Sequence, residues 1–249
     1  MEGTAVPRRL TWEVATISAA TWETPSVRTI GLDVPAWPGH RAGQHLDVRL
    51  TAEDGYSAER SYSIASATDD PVAITVERLD DGEVSPYLTE VLTIGDPIEV
   101  RGPVGGWFVW RPADPAPVLL IAGGAGIVPL MAMVRERRAG AGRTPFRLIY
   151  SLRTPADLYY GEELRRPVPA DAGVDTALLY TRAAPPGSSR PPARLGAEDV
   201  ERYGWPPEFE PACYVCGPTG FVETAADILT KLGHDPRRIR TERFGPGGG

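Results

Sequence analysis

Apolar positions alternate with polar ones in six short runs across the first part of the chain, at residues 12–19, 27–32, 44–50, 60–64, 72–77 and 98–100, separated by segments that contain turn residues. A period of two bounded by turn residues predicts β-strands, and six of them in close succession predict an antiparallel barrel closed on itself. The segment 111–117, Arg-Pro-Ala-Asp-Pro-Ala-Pro, has little capacity for helix or strand, and the pattern changes after it. Apolar runs at 118–122, 146–150, 176–180 and 213–216 then alternate with helix-like stretches at 129–138 and 219–232. That alternation predicts a Rossmann-like parallel α/β domain. The fold class is therefore β + α/β, with expected domains at 1–113 and 114–249. The Pro- and Ser-rich segment 183–196 reads as a surface loop and the glycine-rich tail 246–249 as disordered. The sequence contains no internal repeat.

Composition narrows the class. With 249 residues the chain is long enough for two compact units, and 42% hydrophobic with 24% charged residues is ordinary for a globular protein. A formal net charge of −7 argues against nucleic acid as a partner. No charge occurs between Asp114 and Arg135, about the length of a membrane span, but Gly123, Gly124, Gly126 and Pro129 interrupt it, so no membrane span is expected. The first ten residues lack the apolar core of a secretory signal, and the expected location is cytoplasmic. The two cysteines, Cys213 and Cys216, are too few for a four-thiolate iron–sulfur cluster. On a strand, residues three apart face opposite ways, so this pair is not expected to chelate. His40, His45 and His234 are scattered, and no metal is expected.

The start of the second half has a glycine loop. A buried strand runs into Gly123-Gly124-Ala125-Gly126-Ile127-Val128-Pro129 and then a helix. Glycines admit a pyrophosphate close to the backbone, and a helix N-terminus supplies unpaired N–H donors, so the site suits a dinucleotide. Proline replaces the third glycine of the usual fingerprint but is tolerated in a first helical turn. An NAD-preferring site would place an acidic residue at the end of the next strand, whereas this chain has Ser151 and Arg153 there. A hydroxyl and a guanidinium suit a 2′-phosphate, which favours NADPH and leaves NADH possible. Thr181 and Arg182 repeat the donor pair after the third strand. The plainer alternative is that both arginines are solvated loop residues.

In the first half, Arg60-Ser61-Tyr62-Ser63 lies on a barrel strand, with Arg60 and Tyr62 on one face and Ser61 and Ser63 on the other. Gly82-Glu83-Val84-Ser85 then leads into a short helix that could present N–H groups to a second phosphate pair. Gly102-Pro103-Val104-Gly105-Gly106 follows as a turn expected to cap the last barrel strand.

In this order, with Cys216-Gly217-Pro218 and Glu242-x-Phe244 near the end, these motifs resemble the ferredoxin–NADP⁺ reductase superfamily of flavoenzymes. The similarity is to the bacterial ferredoxin-reductase-like group whose FAD- and NAD(P)-binding domains carry no fused iron–sulfur domain. The resemblance spans residues 10–244. It implies FAD as prosthetic group, with Arg60 on the pyrophosphate, Tyr62 stacked on the isoalloxazine and ribityl region, and Ser63 near flavin N5. Val76 and the turn Glu83, Val84 and Ser85 would add mostly backbone contacts. Gly124, Ala125 and Gly126 would meet the nicotinamide nucleotide, with Ala125 where relatives often carry threonine. Cys216, with Gly217 and Pro218, would shape the pocket beside nicotinamide C4. Glu242 would neighbour that cysteine, and Phe244 would cover the flavin or else anchor under the barrel. Ser63, Cys216 and Glu242 are thus the candidate catalytic residues.

The implied activity is an NAD(P)H-dependent FAD-containing reductase that takes a hydride and passes electrons singly to a separate acceptor, such as a ferredoxin. A reductase of free flavin or ferric chelates, and a non-catalytic nucleotide-binding subunit, are the alternatives. Arg135, Arg137 and Arg138 read either as a docking patch for an acidic partner or as a solvated helix face.

Overall fold

The computed structural model describes residues 10–140, 143–165 and 174–245; the tail 246–249, expected to be disordered, lies outside them. Six strands, β1 (Glu13–Thr24), β2 (Val27–Asp33), β3 (His45–Thr51), β4 (Ser57–Ser63), β5 (Ala73–Glu77) and β6 (Pro97–Val104), form one antiparallel sheet in the order β4-β3-β6-β1-β2-β5. A bridge between Ile64 and Ile74 joins its two ends and closes the barrel. Ile17, Ile30, Leu46, Val48, Ile74 and Val76 fill the interior. Arg60 and Tyr62 stand opposite Val48 and Leu46 in the β3–β4 register, so the expected alternation along β4 is present.

Two strands exceed the lengths read from the sequence. β1 continues to Thr24, with register shifts at Ile17/Ala19 and Trp22/Thr24 that let a long strand bend around the barrel. β6 runs to Val104, so Gly102 and Pro103 sit inside a strand rather than in a capping turn. The β3–β6 register passes from Arg101 to Val104 without pairing the two between, which spares the ladder the N–H that proline lacks.

The second half is a parallel sheet of β7 (Val118–Gly123), β8 (Phe146–Leu152), β9 (Val174–Tyr180), β10 (Ala212–Pro218) and β11 (Ile239–Phe244), in the order β11-β10-β7-β8-β9. It is covered by α1 (Ile127–Ala139), α2 (Gly161–Arg165), α3 (Ala197–Tyr203) and α4 (Thr219–Lys231). The strand order reverses between β7 and β10, and a crevice for ligands opens at the carboxyl ends of strands where such a reversal occurs. The strand β11 and the helices α2 and α3 are additions to the elements the sequence predicts.

Helix α1 explains the long charge-free run. Every residue from Ile127 to Val134 is buried, because one side of the helix packs on the sheet and the other meets the barrel. Across that seam Arg135 donates to the Ala65 carbonyl at 2.7 Å, and the Thr68 N–H donates to Glu136 at 2.7 Å. Tyr160 adds its N–H to Glu23 at 3.0 Å and its hydroxyl to Thr75 at 2.6 Å. No helix among the described residues is long and apolar enough to cross a membrane.

The arginines of α1 are neither a docking patch nor a solvated face. Arg135 and Arg138 both pair with Glu163, at 2.6 and 3.2 Å, and Arg137 is buried and donates to the Thr144 carbonyl at 2.8 Å. Their sequence neighbourhood looked like a cationic stripe only because the carboxylate that neutralises it comes from α2. Cys213 and Cys216 are free thiols and point into different cores, one under α3 and α4 and the other under α1.

Candidate functional site

Glu242 and Cys216 are brought together by the sheet. In the parallel register of β10 and β11 they lie opposite one another, with Phe244 opposite Pro218 two residues on. The barrel contributes the third group: Ser63, buried at the end of β4, donates its hydroxyl to the Glu242 carboxylate at 3.4 Å. Burial pushes the Glu242 carboxyl up to about 7, and the Ser63 hydroxyl opposes that rise. The Cys216 thiol is pushed well above its ordinary value by burial first and by the Glu242 charge second. A neutral thiol that stays neutral is a packing group and a weak donor rather than a nucleophile.

A cavity of about 330 Å³ opens beside this trio, lined by Gly43, His45, Ser61, Ser63, Glu242 and Phe244, with Trp107 and Arg243 on its rim. Phe244 also packs against the core that contains α1. Burial lowers the His45 imidazole below its ordinary range, and the Asp47 charge pulls the other way. No group of three or more His, Cys, Asp or Glu side chains suited to a metal occurs among the described residues.

Along the barrel face, Tyr62 is largely buried and packs on the barrel core, and desolvation pushes its phenol up to about 12. Arg60 stays half exposed and reaches the turn after β5, where its guanidinium meets Glu83 at 2.9 Å. Tyr56 donates to the same carboxylate at 2.8 Å. Sequence reading assigned the 83–85 turn to backbone contacts and did not foresee this pairing. The Ser85 hydroxyl is occupied within the turn, accepting from the Leu79 N–H at 3.0 Å. Val76 and Val84 are buried in the barrel core. Ser61 donates to Asp47 at 2.6 Å.

At the sheet crevice, Gly124 has φ +51 and faces open space where a Cβ would stand, a backbone cradle of the kind a phosphate can enter. Gly126 has a different task, because a Cβ there would overlap the Cys216 carbonyl. The glycine thus lets the start of α1 press onto the end of β10 and so fixes the cysteine next to the loop. Ala125, between them, is half buried against the core beneath α1. Ser151 is buried beside Gly123 in the β7–β8 register. The Arg182 N–H donates to the Arg153 carbonyl at 2.9 Å, and the Thr181 N–H to the Leu152 carbonyl at 2.9 Å. Those two bonds bring the exposed Arg153 and Arg182 to one edge of the sheet.

The donor set fits a flavin dinucleotide along the barrel and a pyridine nucleotide at the crevice. Arg60 and the Gly82–Ser85 turn suit a pyrophosphate, Tyr62 offers an aromatic face, and Gly124 admits a second phosphate group. Barrel, parallel sheet and a polar junction between them define a two-domain oxidoreductase for FAD and NAD. Residues 15–109 match the oxidoreductase FAD-binding domain family, and residues 120–227 match the oxidoreductase NAD-binding domain family. The chain belongs to the oxidoreductases that combine this FAD-binding domain with this NAD-binding domain.

Among curated relatives, the glycine betaine monooxygenase reductase subunit of Chromohalobacter salexigens is 32% identical over 90% of this chain and 61% of its own length. The ferredoxin reductase component of 3-ketosteroid-9-alpha-monooxygenase from Mycobacterium tuberculosis is 32% identical over 86% of this chain and 58% of its own. The chain thus spans about six tenths of these relatives. A ferredoxin NADP⁺ reductase from Neisseria gonorrhoeae, solved with FAD and NADP, shares the fold at a TM-score of 0.75 and 20% identity, covering 93% of this chain and 98% of that one.

Proposed function

We propose that the protein is an NAD(P)H-dependent FAD reductase, with domains at 1–113 and 114–249, that hands electrons to a separate redox protein such as a ferredoxin. The observation that carries this reading is the contact of Ser63, from the barrel, with Glu242, from the sheet, directly beside Cys216. It adds a polar contact between the two halves at the cavity. The relatives named as reductase subunits of monooxygenases support an acceptor on another polypeptide.

When bound, the flavin supplies the conversion of a two-electron hydride donor into a source of single electrons. The chain's own residues bind and orient. Arg60 would hold the pyrophosphate by charge, Tyr62 would offer its ring to the isoalloxazine, and the 83–85 turn would add backbone N–H groups. Gly124 and Gly126 let the nicotinamide nucleotide approach the crevice, while Ser151, Arg153, Thr181 and Arg182 line the edge where its ribose would lie. The two arginines favour NADPH over NADH. Cys216 keeps the pocket apolar and dry, and Ser63 with Glu242 holds a proton within reach of the reacting centre. With a carboxyl near 7, that proton is exchangeable around neutral pH.

The test is direct. Purified protein supplied with FAD should be yellow, and anaerobic NADPH or NADH should bleach it, with NADPH acting at lower concentration. A chain that refuses FAD, or a bound flavin that neither nucleotide bleaches, refutes the proposal. Rapid turnover with ferric chelates and none with protein acceptors would move it to the small-acceptor alternative.

A further inference from the structure

Tyr160 is gripped by the barrel through its backbone and its side chain at once. It takes the left-handed conformation, φ +55, which is uncommon for a bulky residue, and it is buried. Its N–H donates to Glu23 at 3.0 Å and its phenol to Thr75 at 2.6 Å. Thr29, opposite Thr75 in the β2–β5 register, closes a ring: its hydroxyl lies 2.9 Å from that of Thr75 and donates to Glu23 at 2.8 Å. Glu23 can serve both because the register shift between Trp22 and Thr24 leaves it unpaired with β2.

Counting hydrogens fixes the direction of every bond in the ring, since a hydroxyl donates once. Thr29 uses its hydrogen on Glu23, so Thr75 donates to Thr29 and accepts from Tyr160. Burial pushes the Tyr160 phenol up, while the Arg135 charge and the Thr75 hydroxyl oppose the rise, so the phenol keeps the proton that it donates. All the bonds run towards the Glu23 carboxylate, and donors aligned in this way reinforce one another. The Arg135 guanidinium lies over the Tyr160 ring at 4.7 Å and is itself tied to the barrel at the Ala65 carbonyl and to α2 at Glu163.

The place of this ring in the fold gives it a consequence for the site. The sheet order sets β8 and β11 on opposite sides of the β7–β10 crevice. Tyr160 follows β8, whereas Glu242 lies on β11 and meets Ser63 at the longer distance of 3.4 Å. On the barrel, Thr75 adjoins Ile74, which bridges Ile64, the neighbour of Ser63. The two contacts thus hold the sheet from either side of the crevice, and the one at Tyr160 is the firmer. We propose that Tyr160 is a positioning residue that, through Thr75, Thr29 and Glu23, sets the angle at which the crevice faces Ser63 and hence the alignment for hydride transfer. That kinetic role rests on the reductase reading above, whereas the anchor itself does not. Misalignment of reacting groups slows the transfer without requiring weaker nucleotide binding.

The experiment compares wild type with Tyr160→Phe, Thr75→Val and Thr75→Ser. In the FAD-loaded protein, the limiting rate at which anaerobic NADPH bleaches the flavin should fall about tenfold in Tyr160→Phe and Thr75→Val, with half-saturating NADPH within about twofold of wild type. Thr75→Ser keeps the hydroxyl and should stay within about twofold on both measures. In the flavin-free protein, hydrogen exchange at the Tyr160 N–H should quicken by about tenfold or more in Tyr160→Phe and Thr75→Val, and not in Thr75→Ser. Unchanged bleaching rates in Tyr160→Phe and Thr75→Val, or a Thr75→Ser as slow as Thr75→Val, would overturn the positioning role. Should Thr75→Val misfold, Tyr160→Phe, which removes only the hydroxyl, decides alone. A wild type that holds no FAD, or whose flavin NADPH does not bleach, would instead bring down the reductase reading, and the exchange rates would still decide the anchor.

Discussion

Ser63 and Glu242, 179 residues apart in sequence, meet at 3.4 Å across the junction of barrel and sheet. The pair is a hydroxyl donating to a carboxyl whose charge is disfavoured by burial, so its protonation should respond to pH near neutrality and report on the junction itself.

Removing that carboxyl should change how stability depends on pH. The ordinary value of 4.5 rises to about 7 in the folded chain, so between these limits the native state retains a proton that the unfolded state has lost. Stability from this group is full below about 4.5 and falls as pH climbs through 7, by on the order of 3 kcal/mol. Glu242→Gln should abolish that fall and be the more stable chain above pH 7, measured by urea unfolding of the flavin-free protein across the window. Parallel pH profiles for the two chains would show that Glu242 titrates normally.

Glu83 stands in the way of any anion approaching Arg60. Both side chains are about half exposed, so the pair itself is worth at most about 1 kcal/mol. Glu83→Gln should therefore tighten FAD binding by roughly two- to fivefold, because it frees the guanidinium and removes a negative charge beside the pyrophosphate. Arg60→Ala should weaken binding by about tenfold or more. Fluorescence titration of apoprotein with FAD measures both. Weaker binding in Glu83→Gln would mean that the carboxylate orients Arg60 instead of competing for it.

Arg153→Ala should raise KM for NADPH by about tenfold and leave KM for NADH within about twofold, the difference of one charge-assisted contact to a 2′-phosphate. Steady-state rates with each nucleotide give the comparison. Equal effects on both would return Arg153 to the status of a solvated loop residue.

Gly126→Ala should destabilise the second domain by about 2 kcal/mol or more, since the added methyl must displace the Cys216 carbonyl, which is backbone and cannot rotate away. Thermal unfolding by circular dichroism checks this. Gly124→Ala adds no clash, and its cost comes only from φ +51. It should therefore depress nucleotide affinity more than Tm.

Much of the architecture could be read in one dimension. Period-two runs marked the six barrel strands, the prolines at 111–117 marked the change of pattern, and a glycine loop after a wholly apolar strand marked the start of the parallel sheet. Strand β11 escaped because Ile-Arg-Thr-Glu-Arg-Phe has neither a buried run nor a clear alternation. As an edge strand it is paired on one side only, and every residue in it keeps some exposure. Its register against β10 nonetheless decides which residue stands beside Cys216.

Sequence alone determined the local chemistry: which segments bury apolar surface, where glycine must stand, and which motifs resemble a flavin and nicotinamide reductase. These follow from backbone conformation and short-range periodicity, which neighbours along the chain dictate. Only the tertiary structure decided the electrostatics. It gave Arg135 and Arg138 to Glu163, set Glu83 against Arg60, raised the Glu242 carboxyl by burial, and placed the Arg240 guanidinium over the Trp107 ring. Charge interactions act through space and depend on desolvation, and neither the distance between two side chains nor their burial is written in their separation along the chain.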